Sequence, residues 1–155
     1  MVQSLDIGTT NACGHFFDDR SRKLLTHVWN SLQEQVRSTF NSYWDDPENH
    51  WLLNGPIFAL TDRPVNKGAH GSTDFHGFLL RFHLETITNS DDKLVKDLFA
   101  HELAHAYYYA SGDRDKESAH ETSKESTIVR EKYANRLMIQ WGYDVLPDAP
   151  LEHRP

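Results

Sequence analysis

His101-Glu102-Leu103-Ala104-His105 is the segment that most restricts what this chain can become. On a helix, residues four apart project from one face about one turn from each other, so the two imidazoles can share one metal ion. Zinc accepts imidazole nitrogen at about 2.0 to 2.1 Å and, in catalytic sites, takes three protein ligands and keeps a position for water. Glu102 follows the first histidine, close enough to take a proton from that water without being a ligand. The segment therefore requires a helix, a third ligand from elsewhere, and a fold that joins them.

The flanking residues supply the helix. Asn89-Ser90-Asp91-Asp92 offers N-cap candidates and first-turn acids, Leu94, Val95, Leu98 and Phe99 offer a packing face, and Gly112 can end the helix. A helix from about Asp91 to Tyr109 is expected. A last helix, about Ser126 to Trp141, carries Val129, Tyr133, Ala134, Leu137, Met138 and Trp141 on its inner side and stops at Gly142. Within it, Glu131-Lys132-Tyr133-Ala134-Asn135 offers the third ligand. The Glu131 carboxylate can bind metal, and Asn135, one turn on, can accept a hydrogen bond from a ligand imidazole through its amide oxygen.

Upstream, Leu25, Val28, Trp29, Leu32, Val36, Phe40 and Tyr43 recur at spacings of three and four, which predicts one helix from Ser21 to Trp44. Asp45 to Asn49, containing Pro47, breaks it. Pro56 to Leu60 reads as a short strand, 61–72 as a loop, and 111–124 as a polar loop. From Phe78 to Thr86 the pattern alternates, with Phe78, Leu80, Phe82 and Leu84 facing inward. Residues 1–19 and 147–155 read as tails around one domain at 20–146, since 155 residues suit a single core.

Composition narrows the partners. Eight Phe, six Tyr and four Trp supply bulk for that core. A formal charge of −7 disfavours a bare nucleic-acid backbone. The lone Cys13 cannot make an internal disulfide and reads as a plain small residue, with thiolate capping of a metal as the alternative. No leader pattern occurs in Met1 to Thr10, and no apolar run approaches the roughly 20 residues a membrane span needs, so a cytoplasmic protein off the membrane is expected.

The HELAH helix and the downstream EKYAN helix resemble the gluzincin branch of the zincin-like metalloproteases. The resemblance covers about residues 75–142 and implies His101, His105 and Glu131 as zinc ligands and Glu102 as general base. It also implies that the strand Phe78–Thr86 is the edge against which an extended peptide lies, which would give Arg81, His83 and Glu85 a part in substrate choice. Asn135 departs from the pattern, where an acid often stands. A second resemblance, through His101 to Tyr107, Asp113-Arg114-Asp115 and His120, is to SprT-type metalloproteases, which implies His120 as third ligand; the glycines usual around that histidine are Ala119 and Glu121 here. Tyr107, Tyr108 and Tyr109 are candidates for a hydrogen bond to an oxyanion, with core packing expected for at least two.

The expected architecture is α+β and zincin-like: a backing helix, a small mixed sheet, the zinc helix and the Glu-bearing helix. The expected activity is zinc-dependent hydrolysis of peptide bonds in a peptide or protein substrate. The alternatives are a catalytically silent zincin-like binding or regulatory module and an SprT-like protease acting on DNA-associated proteins.

Overall fold

A computed structural model describes residues 17–49, 55–62, 70–114 and 123–155, with side chains in the last stretch from Thr127 onward. Cys13 and His120 lie outside the described residues. Among the described residues the fold is a mixed α+β arrangement of five α-helices and a three-stranded mixed sheet.

Two helices, α1 (Asp19–Ser31) and α2 (Glu34–Asp45), replace the single helix expected from Ser21 to Trp44. The Asp18 carboxylate caps α1 by accepting from the Ser21 amide at 2.7 Å. The chain is extended at Leu32 and Gln33, and this break lets Trp29 of α1 meet Phe40 and Trp44 of α2, with ring centroids 5.7 and 5.9 Å away. Leu32 to Val36 keeps the spacing of four across the break, so periodicity alone cannot register it.

The sheet contains β1 (Ile57–Thr61), β2 (Gly71–Asp74) and β3 (Leu79–His83) in the order β1-β3-β2. β1 runs parallel to β3 with Phe58 opposite Leu80, and β2 runs antiparallel to it with Thr73 opposite Leu80. Two expectations change here. β3 is the central strand, not the edge, and β2 begins within the expected loop 61–72 and runs past its end to Asp74. β2 has the sequence Gly-Ser-Thr-Asp and no apolar residue, so its strand character comes from pairing with β3. The strand also ends earlier than expected. Leu84–Asn89 form a short helix, α3, because Ile87 turns back into the core at 1% exposure. Leu79 is buried as well, so the strict alternation inferred from Phe78 to Thr86 does not hold.

The histidine-bearing helix, α4 (Asp92–Ala110), lies across the middle of the molecule and packs on α1, α2, β2 and the last helix. Asp91 caps it through the Leu94 amide at 2.8 Å, and Gly112, with φ +81°, follows its end. Its buried residues run around the whole circumference, from Val95 and Phe99 to Leu103, Ala104 and Tyr108. A helix buried on all sides is a core helix, and α4 carries Asp97, His101 and Glu102 into that core. Phe99 stacks on Phe17 at 5.8 Å and meets Phe82 edge-on at 4.8 Å.

The last helix, α5 (Ser123–Gln140), packs along α4 through Tyr133, Ala134 and Met138. The residues after Pro147, expected as a loose tail, are tied down instead. The backbone forms a 3-10 turn at Leu151–His153, Asn135 donates to the His153 carbonyl at 2.8 Å, and Arg154 donates to the carbonyls of Leu146, Pro147 and Ala149. No helix among the described residues is long and apolar enough to cross a membrane.

Candidate metal centre

Helical spacing places the His101 and His105 rings 4.7 Å apart and nearly perpendicular. Their Nε2 atoms lie 3.1 Å from each other. α5 then brings Glu131 onto both, with Oε2 at 3.2 Å from His101 Nε2 and Oε1 at 3.1 Å from His105 Nε2. The three residues form a group that could hold a metal ion. A tetrahedral ion with arms of 2.0 to 2.1 Å has ligand-to-ligand edges of about 3.3 Å, close to these separations. The donor set of two imidazoles and a carboxylate is one that zinc accepts.

The electrostatics favour a cation at this point. Burial opposes charge on His101, but Glu131, Glu102 and Asn135 outweigh it and raise its pKa. Burial likewise opposes charge on Glu131, yet the two imidazoles outweigh it and hold the carboxyl far below the usual carboxylate range. Groups that attract protons this way also attract a dication. Asn135 is 1% exposed, and its Oδ1 and the His101 Nδ1 are both buried without a hydrogen bond. The hydrogen bond expected from the imidazole to this amide is thus not formed, although the amide contributes to the raised His101 pKa. Its amine group is spent on the His153 carbonyl, which fixes the C-terminal segment rather than the imidazole.

Glu102 stands outside the triad. Its side chain turns toward β2, where the Thr73 hydroxyl lies 2.6 Å from Oε2, and only 4% of the residue is exposed. His101, Glu102 and Glu131 border a cleft of about 220 Å³ that the C-terminal segment also lines, through Leu146, Asp148 to Pro150 and His153. His70, in a 2.8 Å contact with Asp148, lines it as well.

Other expected residues are placed elsewhere. Tyr107 packs against Phe40 and Trp141, Tyr108 is buried, and Tyr109 stacks on His76 at 5.1 Å, so none of the three borders this cleft. Arg81 is engaged with Asp74 and His83 with the Thr86 hydroxyl. Glu85 is exposed in the first turn of α3. Sequence reasoning missed His70, Gly71, Thr73 and the segment 146–153. The first three sit in a stretch without periodicity, and the last reads as a tail, so no local signal marks them.

No protein-family model, no curated protein and no solved structure matches this chain significantly.

Proposed function

We propose that the chain is a zinc-dependent peptidase of the zincin-like, gluzincin type, with His101, His105 and Glu131 as ligands and Glu102 as general base. The observation that carries this reading is the convergence of both Nε2 atoms and the Glu131 carboxylate at 3.1 to 3.2 Å, beside a carboxylate left out of that triad. Zinc bound there supplies a Lewis acid that polarises a carbonyl and acidifies water.

The chain's own residues do the rest. Glu102 takes a proton at its carboxylate and returns it to the leaving amine. The cleft borders hold the reacting bond beside that carboxylate, and β2, whose outer edge pairs with no described strand, is the edge along which an extended peptide would lie. The proposal thus moves the docking edge from β3 to β2.

A binding module would need the same ligands but not Glu102, and burial of an acid held by Thr73 supports the enzyme reading. The SprT-type alternative needs His120, whereas Glu131 already completes a three-donor set.

The test is Glu102→Gln, which preserves side-chain size and all three ligands. Zinc content and melting temperature should stay near wild type, while cleavage of a peptide library should fall by at least about a hundredfold, the lower end for a positioned acid-base group. Equal cleavage by both proteins would remove Glu102 from the mechanism. Zinc binding by both without any cleavage would favour the binding module.

A further inference from the structure

Two of the four residues of β2 meet the same group. The pleat sends Gly71 and Thr73 toward α4 and Ser72 and Asp74 to the other face. The Thr73 hydroxyl lies 2.6 Å from Glu102 Oε2 and 3.0 Å from the Glu102 carbonyl oxygen. A Cβ at Gly71 would fall 2.9 Å from Glu102 Oε1, 3.0 Å from Cγ and 3.1 Å from Cδ, closer than such atoms pack.

We infer that β2 is the element that positions the Glu102 carboxylate, with Thr73 as the positioning residue and Gly71 as the position left bare to admit it. The inference rests on the reading of Glu102 as the base. A glutamate has three rotatable side-chain bonds, and a catalytic group must be held within about 0.5 Å of its working geometry. The Thr73 hydroxyl has one proton, and the shorter contact, to an ionisable oxygen, is the stronger of its two. With Oε2 held by Thr73, Oε1, the oxygen facing Gly71, is left to accept the substrate-side proton.

The register of β2 is fixed from the opposite face. Ser72 Oγ donates to Asp74 Oδ2 at 2.7 Å, and Arg81 donates to the same oxygen from Nε at 3.1 Å and Nη2 at 2.7 Å. A slip of one residue would replace the glycine and threonine facing Glu102 with serine and aspartate, removing the space and adding a like charge. The Asp74–Arg81 clamp therefore acts on the carboxylate at a distance, by holding Gly71 and Thr73 in phase.

Three variants of the full chain test this: Thr73→Val, Thr73→Ser and Gly71→Ala. Thr73→Val keeps the shape and removes the donor, and Gly71→Ala displaces only the flexible end of a side chain, so each should bind zinc within about twofold of wild type. For Thr73→Val and Gly71→Ala, kcat should fall by about tenfold to a hundredfold with KM unchanged, the range expected for a misplacement of about 1 Å. Thr73→Ser should recover most of the loss. In a Glu102→Gln background neither change should cost anything further, since groups that act through one another are not additive.

A readout independent of cleavage is the ¹³C resonance of the Glu102 carboxyl carbon, assigned by its disappearance in Glu102→Gln. It should move in Thr73→Val and Gly71→Ala and return in Thr73→Ser. If wild type cleaves no peptide, the peptidase reading falls while this resonance still decides the positioning. An unmoved resonance in both variants would overturn the inference. So would zinc affinity lost in step with rate, because β2 would then be shaping the whole site.

Discussion

α4 carries the Glu102 carboxylate and β2 packs against it, and the two elements are held in place by opposite means. α4 is fixed by apolar burial, with Phe99, Ala100, Leu103, Ala104 and Ala106 all at 0% exposure. β2 is fixed by polar contacts: Ser72 and Arg81 to Asp74, Thr73 to Glu102, and the His83 amide to the His70 carbonyl at 2.9 Å. Apolar packing resists displacement as a whole, because any shift opens a void. Polar ties are individually worth only about 1 kcal/mol and can be exchanged one at a time. The ligand histidines therefore sit on the rigid element, while the group that must hand a proton back and forth is adjusted by the replaceable one.

The largest effect should come from attacking the rigid side. Phe99→Ala removes a ring packed against Phe17 and Phe82 and should destabilise the fold by about 3 to 5 kcal/mol, measured by chemical denaturation of the metal-free protein. This is a large share of a typical stability of about 5 to 15 kcal/mol. A cost below about 1 kcal/mol would mean that burial is not what fixes α4.

The next effect concerns the join between α4 and α5. Glu131→Ala leaves two imidazoles on one helix and should weaken zinc binding by more than about a hundredfold in a titration, beyond what loss of a supporting group costs. That factor corresponds to about 2.7 kcal/mol. Melting temperature without metal should fall at neutral pH, since the two imidazoles hold the Glu131 carboxyl below its usual range in the folded state and the variant loses that attraction. Zinc affinity unchanged in Glu131→Ala would exclude the third-ligand role.

The same contrast governs what the sequence discloses. His101 and His105 meet because helical geometry fixes residues four apart, so their partnership is readable from spacing once the helix is. Glu131 is readable as one turn from Asn135, but its distance from the histidines depends on how α5 packs on α4, which spacing does not encode. The helix ends at Asp91, Gly112 and Gly142 follow from local capping chemistry. β2 does not, because Gly-Ser-Thr-Asp becomes a strand only when β3 is beside it. The break at Leu32 and Gln33 is invisible because both helices bury the same face. Leu84 is ambiguous, because it extends the alternation of Phe78, Leu80 and Phe82 and also stands three residues before Ile87, a helical spacing that breaks that alternation. Asn135 illustrates a correct location with a different partner: it lies beside the site, but the His153 carbonyl receives its hydrogen bond.

The smallest effect tests whether polar ties also hold the far end of β2. Phe75 and His76, which follow the strand, have φ of +52° and +53°, a left-handed conformation that non-glycine residues seldom adopt. Tyr43 of α2 reaches this turn and donates its hydroxyl to the His76 carbonyl at 2.8 Å. Its pKa is raised, by burial first and by Tyr109 second, against a lowering from Arg114. A phenol whose folded pKa exceeds its unfolded value near 10 contributes stability that is complete below pH 10 and lost as pH climbs through the folded pKa. Tyr43→Phe removes both the hydrogen bond and this titration. It should lower stability at pH 8 by about 0.5 to 1.5 kcal/mol, the net value of one such bond. The gap between wild type and variant should then narrow as pH rises above 10, because only the wild type loses its donor there. Melting curves for the two proteins from pH 8 to 11 measure it, and a constant gap across that range would show that the Tyr43 hydroxyl does not hold the turn.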